Sequence, residues 1–163
     1  MIFGKCFEEI WYRPAPGGAD QIHTNNRQKG KAKTMYRILL VDDEILVRDA
    51  IKENIDWKSM DCELVGDCEN GKQAADFVKT HPVDIVLTDI LMPYMDGMEL
   101  SHFLHDNYPE IVIVIFSGFG EFEYAKKAIQ YNVSEYMLKP VTAMELREVI
   151  GKMKEKVDHC LLY

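Results

Sequence analysis

The sequence lacks the marks of several large protein classes. It has four cysteines, Cys6, Cys62, Cys68 and Cys160, and none forms a CxxC pair or stands beside a histidine at zinc-ligand spacing. That excludes a disulfide-stapled scaffold, and the isolated thiols fit a reducing, cytoplasmic setting. No apolar run approaches the roughly 20 residues that a membrane span needs. The first residues lack the basic start, long apolar centre and cleavage site of a signal peptide. Positive charge is also short, with 19 Lys and Arg against 27 Asp and Glu and a net charge of -8. The deficit is uneven. Residues 1–34 hold six Lys/Arg against three Asp/Glu, while the other 129 residues hold thirteen against twenty-four. So acidic a body is a poor match for nucleic-acid phosphates, and no direct nucleic-acid contact is expected of it. Some of the acid could instead surround a cation.

What is present is a globular composition, 47% hydrophobic and 28% charged, in a chain of 163 residues. That length suits one domain with a single sizeable core. Residues 1–34 read differently from the rest. Gly, Pro, Asn, Gln and Lys dominate 14–34, which is linker composition, and Ile2, Phe3, Phe7, Ile10, Trp11 and Tyr12 form a short apolar patch before it. The expectation is a flexible extension, vector-derived or translated upstream of a natural start at Met35. The competing reading is a docking peptide.

From Tyr36 onward, strand and helix signals alternate five times. Short branched runs at 37–41, 83–88 and 111–116 predict buried strands, the last of them central, and 63–67 and 134–138 predict weaker ones. Apolar residues at helical spacing predict helices over 45–55, 71–80, 98–107, 121–131 and 142 to about 157, leaving 159–163 as a tail or linker. Five such units imply an α/β fold with a parallel sheet, right-handed crossovers and helices on both faces. In such sheets, ligands bind beyond the carboxyl ends of the strands.

Those ends carry polar residues. The first strand runs into Asp42-Asp43-Glu44, the third into Asp89, the fourth into Ser117-Gly118 and the fifth into Lys139-Pro140. If they converge, three carboxylates repel one another and call for a hard, oxygen-loving cation such as Mg²⁺ or Mn²⁺. Lys139 adds a fixed positive charge and Ser117 a hydroxyl donor. Together they would let an aspartate accept a phosphoryl group. Taken singly, each residue has a plainer reading: an Asp that caps a helix, a Ser-Gly turn, a lysine at a strand terminus. Their joint placement at four of five strand ends favours the chemical reading. His102 and His105, three apart on one helix, read as solvent-facing polar residues, and His81 as loop.

With these residues in view, the chain resembles the receiver domains of two-component response regulators. The resemblance lies in ILLVDDE at 38–44, IVLTDILMPYMDGMEL at 85–100, IVIFSGF at 113–119 and YMLKPV at 136–141, and covers nearly all of 36–158. It implies a flavodoxin-like doubly wound sheet of strand order 2-1-3-4-5. It also implies that Asp42 and Asp43 bind metal, Asp43 directly, and that Asp89 is phosphorylated. The Leu91 backbone carbonyl would be a further metal ligand and Lys139 would bind phosphate. Ser117 and Tyr136 would be the switch residues, and a cis peptide would precede Pro140. The implied partners are a sensor histidine kinase and, on phosphorylation, a second copy of the chain. The stretches 54–74 and 117–141 resemble receivers attached to AraC-type DNA-binding domains. No helix-turn-helix follows here, so either an excised or a stand-alone receiver is expected, controlling transcription through a separate domain or acting by protein contact. An aspartate-nucleophile phosphatase would want a second Asp where Leu91 stands. A nucleotide-binding α/β protein would want a glycine-rich turn in place of Asp42-Asp43-Glu44. A pseudo-receiver would not need the intact acid set.

Overall fold

Five short apolar runs form one parallel sheet. The computed structural model describes residues 35–118 and 133–162, and the helix expected over 121–131 lies outside them. The strands are β1 (Tyr36–Val41), β2 (Cys62–Cys68), β3 (Ile85–Asp89), β4 (Val112–Ser117) and β5 (Glu135–Leu138). The described helices are α1 (Ile45–Asn54), α2 (Gly71–Phe77), α3 (Gly97–Asn107) and α4 (Ala143–Leu162), with a 3₁₀ turn at Lys58–Met60. The strand order is β2-β1-β3-β4-β5, as expected. The central strand, however, is β3; β4 lies between β3 and β5. Both strands are buried along their whole length, so apolar content alone does not rank them.

Strand side chains alternate between faces with a period of two, and this sorts the core into two halves. Ile38, Leu40, Ile85, Leu87, Val114 and Phe116 meet Leu146, Ile150 and Met153 of α4 on one face. Leu39, Val41, Val86, Ile113 and Ile115 meet Ala74 of α2 and Leu100 and Leu104 of α3 on the other. Ile150 and Leu146 are fully enclosed, and truncating either to alanine costs about 2–5 kcal/mol. The helix starts are chemically marked. Asp96 accepts from the backbone N–H groups of Met98 and Glu99 at 2.8 Å each, and Glu99 accepts from the Asp96 N–H at 2.9 Å, forming a capping box. Thr142 and Glu145 cap α4 in the same reciprocal way.

The structure departs from the sequence pattern in three helices. Helix α2 ends at Phe77, short of Thr80. Helix α4 runs on to Leu162, past Val157 where the apolar spacing suggested an end. On α1 the burial is inverted in the first turn only, and Ile51 further along packs against the core. Ile45 and Leu46 are 60% and 80% exposed, while Arg48 is the helix's buried residue.

Candidate functional site

The parallel register fixes which strand-end residues meet. Val41 pairs with Thr88, Asp89 with Phe116 and Ser117 with Leu138. The residues just beyond these pairs therefore gather at one edge. Carboxylate oxygens of Asp42, Asp43 and Asp89 all lie within 4.8 Å of one another. Asp42 is fully buried and Asp89 nearly so, whereas Asp43 is exposed.

Each carboxylate is held differently. Asp42 accepts from the Glu44 backbone N–H at 2.9 Å and from Lys139 Nζ at 2.8 Å. Asp89 faces the same lysine at 3.2 Å. Asp43 has no protein partner for its carboxylate among the described residues. Burial pushes the Asp89 carboxyl up to about 6 against the pull of Lys139, and the neighbouring Asp42 adds to the rise. Burial works to lower Lys139, but its hydrogen bond to Asp42 and the charges of both aspartates outweigh that and raise it above the ordinary lysine value. Ser117 Oγ is buried without a hydrogen-bond partner among the described residues. The Lys139 backbone N–H donates to the Ser117 carbonyl at 2.7 Å, which ties the β5 end to the β4 end. The Lys139–Pro140 peptide is cis, as the resemblance implied.

The donor set fits a hard divalent cation. It offers three carboxylates and no nitrogen or sulfur ligand, and one lysine does not balance three negative charges. Leu91, two residues beyond Asp89, is 51% exposed on the loop that follows β3. Tyr136 is half-buried on β5, against the cluster that includes Ile113 and Ile115. Phe119, next to the site in sequence, lies outside the described residues. Beside the acids, an apolar groove of about 510 Å³ opens between α1 and the β5–α4 connection, with Lys139 and Pro140 on its wall.

Two residues that shape the site gave no sequence signal of their role. A Cβ at Gly97 would stand 2.0 Å from the Asp89 carbonyl oxygen, so only glycine lets α3 start against the end of β3. The Gly97 N–H closes the loop by donating to the Ile90 carbonyl at 2.8 Å. Arg48 reaches back from α1 and donates through Nη1 to the Asp42 carbonyl. Elsewhere, His81 stacks on Phe77 and exposed His102 sits 3.3 Å from Asp106, so the histidines play no part in the cluster. Burial raises the Cys62 and Cys68 thiols to about 11, which keeps both protonated and inert at neutral pH.

Comparisons with known proteins agree with this arrangement. A model of the response regulator receiver domain matches residues 38–151. A transcriptional regulatory protein, YesN of Bacillus subtilis, is 40% identical over 129 residues, 77% of this chain and 35% of its own. HptR of Staphylococcus aureus, also a transcriptional regulatory protein, is 29% identical over 73% of this chain and 46% of its own. The chain thus spans about a third to a half of the length of these curated relatives. Among solved structures, the receiver domain of AraT, a response regulator from Geobacillus stearothermophilus, shares 37% identity at a TM-score of 0.71, covering 76% of this chain and 96% of that one. A two-component transcriptional regulator from Clostridium phytofermentans shares 34% identity at the same TM-score and the same coverage. A strand-end acid cluster with its lysine, on a sheet of order 2-1-3-4-5, and a family match over most of the chain lead to one conclusion: this chain belongs to the response regulator receiver domain family.

Proposed function

We propose that Asp89 takes a phosphoryl group from a sensor histidine kinase and that residues 36–158 act as the switch unit of a two-component system. The observation that carries this is the environment of Asp89: a carboxylate at the end of β3, with Lys139 Nζ at 3.2 Å and two further carboxylates within 4.8 Å. In the transfer, an Asp89 oxygen bonds to phosphorus as the bond from phosphorus to the donor's imidazole nitrogen breaks. The imidazole leaves neutral, after taking up a proton. Lys139 balances charge on the phosphoryl oxygens, and the Ser117 hydroxyl, with no partner among the described residues, is available to donate to one of them. Asp42, Asp43, Asp89 and the Leu91 carbonyl would hold Mg²⁺ or Mn²⁺. A divalent ion held there would supply positive charge to offset that of the phosphoryl oxygens.

The output follows from the same residues. Ser117 shifts toward the phosphoryl group, and half-buried Tyr136 turns into the space beside it, which changes the surface around β5 and α4. A second copy of the chain reads that surface, so phosphorylation favours a homodimer. The output we propose is control of transcription in the cytoplasm, through a separate domain such as the longer transcriptional regulatory relatives leave room for, or else through direct protein contact. Among the described residues, no helix is long and apolar enough to cross a membrane. A phosphatase reading would need a second acid where Leu91 stands.

Intact-mass measurement after incubation with acetyl phosphate tests the proposal. One phosphoryl group should add to the wild type with Mg²⁺ and none with EDTA, and Asp89→Asn should take up none. An unchanged mass gain in Asp89→Asn would overturn the assignment.

A further inference from the structure

We infer that Arg48 is a positioning residue for the cation site, acting through the peptide that joins Asp42 to Asp43. The inference rests on reading Asp42, Asp43 and Asp89 as that site. Arg48 is the buried residue of α1, and its side chain is 5% exposed. A guanidinium stays charged, so burying it is costly unless its donors are matched. Here two donors are matched and a third nitrogen faces a carboxylate. Nη1 donates to the Asp42 carbonyl, Nε donates to Asp67 Oδ2 at 3.0 Å, and Nη2 lies 3.8 Å from Glu69 Oε1. Asp67 is on β2 and Glu69 follows it, so the arginine bridges the ends of β1 and β2 from α1.

The carbonyl it grips belongs to the Asp42–Asp43 peptide bond. That unit is planar, so fixing its oxygen fixes the direction in which the chain departs toward Asp43. The two acids need this to different degrees. The Asp42 carboxylate is already held by the Glu44 N–H and by Lys139. The exposed Asp43 carboxylate has no protein partner among the described residues and is aimed by its backbone alone. Arg48 therefore acts chiefly on Asp43, and Asp67 acts by holding Arg48. A lysine would not substitute, because a point charge cannot span a main-chain carbonyl and a carboxylate at a fixed angle as a planar fork does.

Mn²⁺ binding, followed by the electron paramagnetic resonance of the free ion, provides the test, with thermal melts and an amide spectrum run on the same metal-free samples. Arg48→Gln should weaken binding by about 10–100-fold, the range usual for groups that orient metal ligands. Arg48→Lys should not rescue it, and Asp67→Asn should weaken it in the same direction by less. The Asp43 amide, which shares the gripped peptide, should shift in all three variants. If Arg48→Gln fails to fold, Asp67→Asn carries the test, since Asp67 is about one-third exposed. Folded variants that bind Mn²⁺ within about twofold of wild type would overturn the role of Arg48 while leaving the cation site intact. A wild-type protein that binds no Mn²⁺ would instead overturn the cation reading, and this inference with it.

Discussion

At the amino ends of the strands, the Asp84 carboxylate is closed off by Arg37. The guanidinium donates to both its oxygens at 2.9 and 2.8 Å, and the Arg37 backbone N–H adds a third bond at 2.7 Å. Nearby, Tyr36 donates to Asp158 at 2.7 Å, and Lys154 meets Asp61 at 3.0 Å and the Met60 carbonyl at 2.9 Å. At the carboxyl ends, three carboxylates cluster around a single lysine, which pairs with Asp42 and Asp89 and leaves Asp43 without a protein partner among the described residues. One edge is electrostatically finished by its own side chains and the other is not. The finished edge serves stability, because every buried charge there already has its partner. The unfinished edge leaves Asp89 close to opposing charge yet short of neutralised, which is what the proposed acceptor of a doubly charged group would require.

The largest expected effect comes from forcing the unfinished edge apart. Gly97→Ala places a methyl against the Asp89 carbonyl oxygen, where only 2.0 Å is free. Neither atom is on a flexible side chain, so α3 or the end of β3 must move. We expect a loss of about 3 kcal/mol or more in urea unfolding. Phosphoryl uptake from acetyl phosphate should fall with it, even at temperatures where the variant is fully folded. Full uptake in a destabilised Gly97→Ala would show that the position of Asp89 tolerates more than its packing suggests.

The finished edge gives the next effect, with the opposite selectivity. Arg37→Ala removes the bidentate partner of the Asp84 carboxylate, which is 8% exposed, while the bond from the residue 37 backbone N–H remains. Breaking a buried pair from one side is costly, and about 2–3 kcal/mol is expected, given the surviving bond and the partial exposure of Arg37. Mn²⁺ affinity and phosphoryl uptake should not change. A loss of Mn²⁺ affinity here would mean that the two edges are coupled through the sheet.

The two edges were also unequally legible in the sequence. The meeting of Asp42, Asp89, Ser117 and Lys139 could be anticipated because parallel strands bring residues of equal rank to one edge, and because branched apolar runs mark where strands stop, whereas the strand order came from the family resemblance alone. The helper residues were not legible, because their roles depend on distance in space. Arg48 sits on α1 beside Ile45 and Val47, and apolar spacing would bury those two but gives no reason to bury the arginine. Arg48 is buried because Asp67 of β2 and the Asp42 carbonyl accept from its guanidinium. Gly97 reads as a turn glycine after Asp96, and only the closeness of Asp89 makes it irreplaceable. The pairing of Arg37 with Asp84 joins residues 47 apart and leaves no periodic trace.

The smallest effect is also the sharpest test of the contrast, because it turns a removal of charge into a gain. Burial holds the Asp89 carboxyl up to about 6 in the folded, metal-free protein, against about 4 in an unfolded chain. The folded state therefore binds the proton more tightly. Stability should fall as pH rises from about 4 to about 6 and stay low above that. Asp89→Asn has no proton to lose, so its melting temperature in EDTA should lack this component and exceed that of wild type at pH 7. The expected gain is about 1–2 kcal/mol, below the roughly 3 kcal/mol that the full shift would give, because Asn also forfeits the ion pair with Lys139. Adding Mg²⁺ should raise the wild type and leave Asp89→Asn far less affected, since binding to the folded state alone is what stabilises it. The corresponding change at the finished edge, Asp84→Asn, should lower the melting temperature at pH 7. If both aspartate variants moved the same way, the carboxyl edge would be as well compensated as the amino edge, and the charge imbalance around Asp89 would not be a feature of the folded protein.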